Sequence, residues 1–242
     1  MAKTTKKQTR DSHLTDLEKL GGVILLLIYL ALIPLCGAAI LNWAGGLLGL
    51  SIGPALRQTI WFYLLFAAVT LVFHRFLFAC AGTFTGSAAR SFQTLGTALI
   101  FFYGLNEILF RVTHLLWGHT VNLNDTALIS LDLLNAAPAA TVLALVVLAP
   151  FVEEVLLRGF LFGWLRQHSR SAAYLVTCVL FALLHTWAMA GDHFTLYYLL
   201  IALQYAMPGL IFAWAYDRSD SIWVPIAAHA AVNALAVWTF YA

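Results

Sequence analysis

The chain alternates long apolar runs with short polar breaks. A bilayer core takes roughly 20 apolar residues in helical form. Seven runs meet that criterion, at about 22–41, 60–80, 94–117, 139–163, 172–188, 195–216 and 222–241. Glycine and proline clusters mark several boundaries between them: Gly45-Gly46, Gly53-Pro54, Gly82 and Pro138. Residues 1–20 are polar and basic and read as a cytosolic tail, leaving 21–242 as one transmembrane helical domain. Thr15-x-x-Glu18 has the form of a capping box that starts a helix running on into the first span. There is no internal repeat, and no low-complexity segment beyond the tail.

Composition turns this pattern into a class. Soluble domains carry roughly 25% charged residues, whereas this chain has 10%, with 62% in the hydrophobic set and a mean hydropathy of +0.86. So few charges cannot cover a water-soluble globule of 242 residues. The expected fold is therefore an all-α polytopic membrane protein of about seven transmembrane helices. Cys36, Cys80 and Cys178 lie far apart in apolar stretches with no CxxC pattern, and read as packing residues rather than a disulfide frame. The basic section ahead of the first run is too long for a cleavable signal peptide and no small-residue cleavage site follows that run.

Charge placement supplies an orientation. With seven spans and the N-terminus inside, Lys3, Lys6, Lys7, Arg10 and Lys19 fall on the cytoplasmic side, as do Arg75, Arg90, Arg166, Arg170 and Arg218. The opposite side receives Arg57 with Asp125, Asp132 and Asp192. This is the partition the positive-inside rule requires. The short chain and the lack of organelle signals point to a bacterial inner membrane.

Ionisable side chains at membrane depth cost roughly 2.5–3.5 kcal/mol each on insertion scales and are functional suspects. They concentrate in the fourth span, at Glu153, Glu154 and Arg158. Glu154 and Arg158, four apart, share a helix face and can pair. Glu153 is turned about 100° away, and desolvation without a full counter-charge suits it to take up a proton. A buried ion-pair network that only fixes packing is the plainer account of this span alone. The fifth span, however, ends Phe181-Ala182-Leu183-Leu184-His185, and the seventh carries His229 and Asn233 four apart on one face. Three spans supplying inward polar groups at one depth are harder to explain as packing.

Other polar positions carry less. Glu107 and Arg111 form an i,i+4 pair expected to lock the third helix to a neighbour. His74 and Arg75 can snorkel at a span end. His114, His119, His168 and His193 sit at span ends or in turns. Gly159-x-x-x-Gly163 suits close helix packing, and Trp61, Trp117 and Trp223 suit interfacial belts.

The three motifs, in order, resemble those of the CAAX protease and bacteriocin-processing (CPBP, or Abi) intramembrane proteases. EExxxR is Glu153 to Arg158, FxxxH is Phe181 to His185, and HxxxN is His229 to Asn233, the last preceded by Ser221-Ile222-Trp223-Val224-Pro225. The resemblance covers about residues 145–240. It implies peptide-bond hydrolysis inside the membrane, on a membrane-associated protein or peptide substrate, with no nucleic-acid partner. It further implies that Glu153 activates water with the help of His185, that His229 and Asn233 hold the carbonyl and its oxyanion, and that Glu154 and Arg158 support the site.

The residues fit addition of water to an amide. A glutamate base must reach the water directly or through a histidine, and amide and imidazole N–H groups stabilise an oxyanion more strongly in a low-dielectric cleft. A zinc version stays open, with Glu153 or Glu154, His185 and His229 as ligands, although the chain lacks HExxH. Asn233 on the His229 face favours the metal-free form. Two other classes stand beside the enzyme: a non-catalytic membrane scaffold or immunity protein, and a proton- or cation-coupled transporter. The transporter usually shows paired repeats with interrupted helices.

Overall fold

Thr15 opens the first helix as expected: its hydroxyl accepts from the Glu18 amide at 3.2 Å, and Glu18 Oε2 accepts from the Thr15 amide at 2.7 Å. The computed structural model describes residues 14–117, 138–186 and 196–241. These form seven helices and, among the described residues, no strand. They are α1 (Asp16–Leu47), α2 (Pro54–Gly86), α3 (Ala88–Trp117), α4 (Pro138–Leu165), α5 (Arg170–Thr186), α6 (Leu196–Ser219) and α7 (Trp223–Tyr241). The first four and α6 are long and apolar enough to cross a membrane; α5 and α7 are shorter apolar helices. The chain is an all-α polytopic membrane protein.

Burial ranks the helices. In α4, 67% of the most apolar window is buried inside the protein, against 11% in α1 and α3. α4 is therefore the central post, and α1 and α3 turn their apolar side chains outward. Leu35 at 78% exposure and Leu115 at 84% are typical of that outer surface, which lipid would cover. Small residues let neighbours close on α4. A Cβ on Gly22 would lie 2.5 Å from the Phe160 ring, and one on Gly159 would lie 2.8 Å from Phe76. The packing role expected of Gly159 is thus realised against α2. Glu18 contributes a tie the sequence did not suggest: its Oε1 accepts from the Phe76 amide at 2.9 Å, just beyond the break in α2 at Phe73 (φ −100°, ψ 15°).

Several expectations change. The helices outrun the apolar windows, because their polar first and last turns continue beyond the hydrocarbon-length core. Thus α1 begins at Asp16, inside the segment read as a tail, and Gly82 lies within α2 rather than at a boundary. Glu107 and Arg111 do pair, at 2.7 Å, but both are exposed on α3, so the pair does not lock that helix into a neighbour among the described residues. Residues 1–13, the Trp117 side chain, His119, Asp125, Asp132, Asp192 and His193 lie outside the described residues.

Three stretches are wound as π-helix: Ile28–Leu32 in α1, and Ala144–Leu148 and Val155–Phe162 in α4. The first two are each followed two residues later by a proline, Pro34 or Pro150. Proline cannot donate to the helical ladder and its ring crowds the carbonyl four residues back. A wider turn relieves that clash, and such turns concentrate at functional sites.

Candidate active site

The paired glutamates of α4 part company as helix geometry requires. Glu154 Oε1 accepts from Arg158 Nη1 at 2.9 Å and from His229 Nδ1 on α7 at 2.9 Å. Arg158, with no exposure, also donates from Nη2 to the Gly209 carbonyl on α6 at 3.0 Å and lies 4.5 Å over the Phe181 ring. Glu153 faces another way. Its Oε1 accepts from the Tyr29 hydroxyl of α1 at 2.8 Å, while its Oε2 is buried with no hydrogen-bond partner among the described residues. His185 Nε2 stands 3.9 Å from that oxygen. This is too long for a direct bond and of the length a bridging water spans.

Both histidine rings are fixed from behind. His185 Nδ1 donates to the Phe181 carbonyl at 2.8 Å, leaving Nε2 toward Glu153, and its ring stacks on Tyr205 at 4.7 Å. His229 stacks on Phe212 at 4.9 Å with Nδ1 held by Glu154. Tyr205 and Phe212 are seven apart on α6 and so present one face, two turns apart.

Asn233 donates from Nδ2 to the Leu145 carbonyl at 2.9 Å. That carbonyl is available for a local reason. In the π turn the Ala149 amide bonds to Ala144, five residues back; the next amide, which would serve Leu145, belongs to Pro150 and does not exist. Asn233 keeps a second N–H, since a carboxamide has two.

Glu153, His185, His229 and Asn233 all line one cavity of about 150 Å³. Its wall includes polar side chains that the motif reading did not single out: Gln58 of α2, Asn106 of α3 and Gln204 of α6, the last 3.5 Å from Asn106. Tyr29 was missed as well. Carboxamides and a tyrosine at membrane depth were the available signal, weaker than a charge but of the same kind. Glu154 and Arg158 sit behind the cavity rather than in its wall. Among the described residues no group of three or more His, Cys, Asp and Glu side chains is placed to hold one metal ion.

A helical membrane protein with carboxylates, imidazoles and a carboxamide converging on a cavity at mid-depth is the class that this fold and site define. Residues 135–235 match the family described as Rce1-like, type II CAAX prenyl endopeptidase Rce1-like. That region contains all three motifs that resemble those of the CPBP proteases. "Putative membrane peptidase YdiL" of Bacillus subtilis (strain 168) is 32% identical over 108 residues, which is 44% of this chain and 39% of that relative. The chain thus matches about two fifths of that curated relative's length. No solved structure matches it significantly.

Proposed function

We propose that the chain is an intramembrane peptidase in which Glu153 activates a water to hydrolyse a peptide bond of a membrane-associated protein or peptide. The observation that carries this is the 3.9 Å gap between Glu153 Oε2 and His185 Nε2 at the wall of a cavity, with the carboxylate oxygen otherwise unpartnered. A water in that gap donates to both groups. Glu153 takes one proton as the water oxygen bonds to the carbonyl carbon. The oxyanion is held by the remaining N–H of Asn233 and by His229, whose ring Glu154 positions. Collapse breaks the C–N bond, and the proton on Glu153 passes to the leaving nitrogen, releasing an amine and a carboxyl terminus. Arg158 neutralises Glu154 and positions it. The lopsided cation distribution supports an N-terminus on the cytoplasmic side.

The test is a comparison of membrane peptides from cells carrying the wild-type chain or Glu153→Gln, at matched abundance. Wild-type cells should contain cleavage products that the variant lacks. Identical peptide sets, with the cellular phenotype intact, would overturn the enzyme reading in favour of a non-catalytic scaffold.

A further inference from the structure

The side on which the cavity opens follows from how the seven helices run. α1, α3, α5 and α7 leave the face that carries the N-terminus, and α2, α4 and α6 return to it. Glu153 lies near the middle of α4, roughly 22 Å from Pro138 and 18 Å from Leu165 at about 1.5 Å per residue. Among the described residues, the cavity extends from that depth in one direction only. Gln58 lies in the second turn of α2, Leu145 in the first half of α4 and Ala236 in the last turns of α7. All three sit toward the face opposite the N-terminus. In the other direction Arg158, Leu157, Phe160, Phe162, Tyr216 and Ile222 are enclosed, none above 1% exposure. On that face the turn before α7 and its first residue are further tied to α2, with Ser221 Oγ donating to the Cys80 carbonyl at 2.8 Å and Trp223 Nε1 to that of Leu77 at 3.1 Å.

The closed face is the basic one. Ten of the thirteen Lys and Arg residues lie in the N-terminal segment or in the halves of the helices and the turns nearer that face, against Arg57 and Arg111 on the other, with Arg158 between them. Cytoplasmic segments collect Lys and Arg in this way. The open half of the cavity carries the carboxamides Gln58, Asn106 and Gln204. These suit a hydrated vestibule, and about 150 Å³ holds on the order of five waters.

We propose that the site is reached from the extracytoplasmic face, so that its substrates are peptide segments exposed there: exported peptides, or the outer ends of membrane-anchored ones. A cytosolic, lipid-anchored C-terminal tail would present its bond to the sealed side. This deepens the peptidase reading and rests on it for the word substrate; the access side itself is tested without catalysis.

The experiment places single cysteines in a chain with Cys36, Cys80 and Cys178 replaced by alanine; a second background retaining buried Cys80 serves if the first does not accumulate. Gln58→Cys and Ala236→Cys report on the vestibule, Ser51→Cys on the loop between α1 and α2, and His168→Cys on the turn between α4 and α5. A membrane-impermeant methanethiosulfonate is applied to intact cells and then to inverted vesicles. Gln58→Cys, Ala236→Cys and Ser51→Cys should be labelled in intact cells, with His168→Cys labelled only in inverted vesicles. Vestibule cysteines that follow His168→Cys, or that react from neither face, overturn the proposal. Exchange of the Ser51→Cys and His168→Cys patterns overturns it through the orientation. None of these readings depends on peptide cleavage, so a failure of the peptidase reading registers separately, in the peptide comparison.

Discussion

Replacing Arg158 by methionine removes the most deeply enclosed charge of the site. The guanidinium has no exposure, donates to Glu154 at 2.9 Å and to the Gly209 carbonyl at 3.0 Å, and its Nε has no partner among the described residues. The substitution leaves Glu154, equally enclosed, without the cation that balances it. Removing one member of a buried pair costs roughly 3–5 kcal/mol. For a chain of this size each kcal/mol shifts the unfolding midpoint by about 2–4 °C, so a fall on the order of 10 °C is expected. Thermal unfolding in detergent micelles, followed by tryptophan fluorescence from the eight Trp residues, measures it. The double replacement Glu154→Leu with Arg158→Met removes both charges and the desolvation they suffer, and should recover most of the loss. A wild-type midpoint for Arg158→Met would refute the reasoning. So would a double variant whose loss equals the sum of the two single losses, since contacting partners should couple.

Tyr29→Phe deletes the hydroxyl 2.8 Å from Glu153 Oε1 and leaves the ring in place. Hydrogen bonds to charged groups are worth about 1.5–3 kcal/mol, so the yield of cleavage products should fall roughly 10- to 100-fold at unchanged abundance; full activity would show that Tyr29 does not position the base. Gly22→Ala puts a methyl 2.5 Å from the enclosed Phe160 ring, an overpacking expected to cost about 1–3 kcal/mol. Gly96→Ala, with nothing within 4 Å, should instead raise the unfolding midpoint slightly, as helix-interior glycine is about 0.5–1 kcal/mol less favourable than alanine.

What could be read in the sequence was what is local to one helix. The seven apolar runs fixed the helix count because span length is a property of consecutive residues, and the Glu154–Arg158 pair followed from i,i+4 geometry alone. That Glu153 points elsewhere was legible for the same reason. Its partners were not, because they arrive from other helices: Tyr29 is 124 residues away in sequence, and no spacing rule connects them. The helix ends were misjudged wherever a polar turn continued an apolar core, as at Asp16 and Gly86. The exposed Glu107–Arg111 pair shows the same limit from the other side, since i,i+4 spacing predicts that a pair forms but not what it faces.

The two widened turns that precede a proline explain why α1, which lies outside the matched region 135–235, nevertheless reaches the site. In both, the amide just after the turn bonds five residues back, Ile33 to Ile28 and Ala149 to Ala144, and the next residue is proline. The carbonyl that this proline would have served is that of Tyr29 in one helix and Leu145 in the other. In α4 the freed carbonyl is taken by Asn233, so the asparagine joins α7 to α4 at the point where the backbone ladder is broken. In α1 the same register places the Tyr29 side chain on Glu153. Each proline therefore does two things: it interrupts a ladder that would otherwise be self-sufficient, and it shifts the helix face beyond it by an extra residue. Asn233 consequently serves both backbone and site, and its loss would act on the position of α4 as well as on any oxyanion. Tyr29→Phe leaves the ladder untouched, which makes it the cleaner probe of how Glu153 is held.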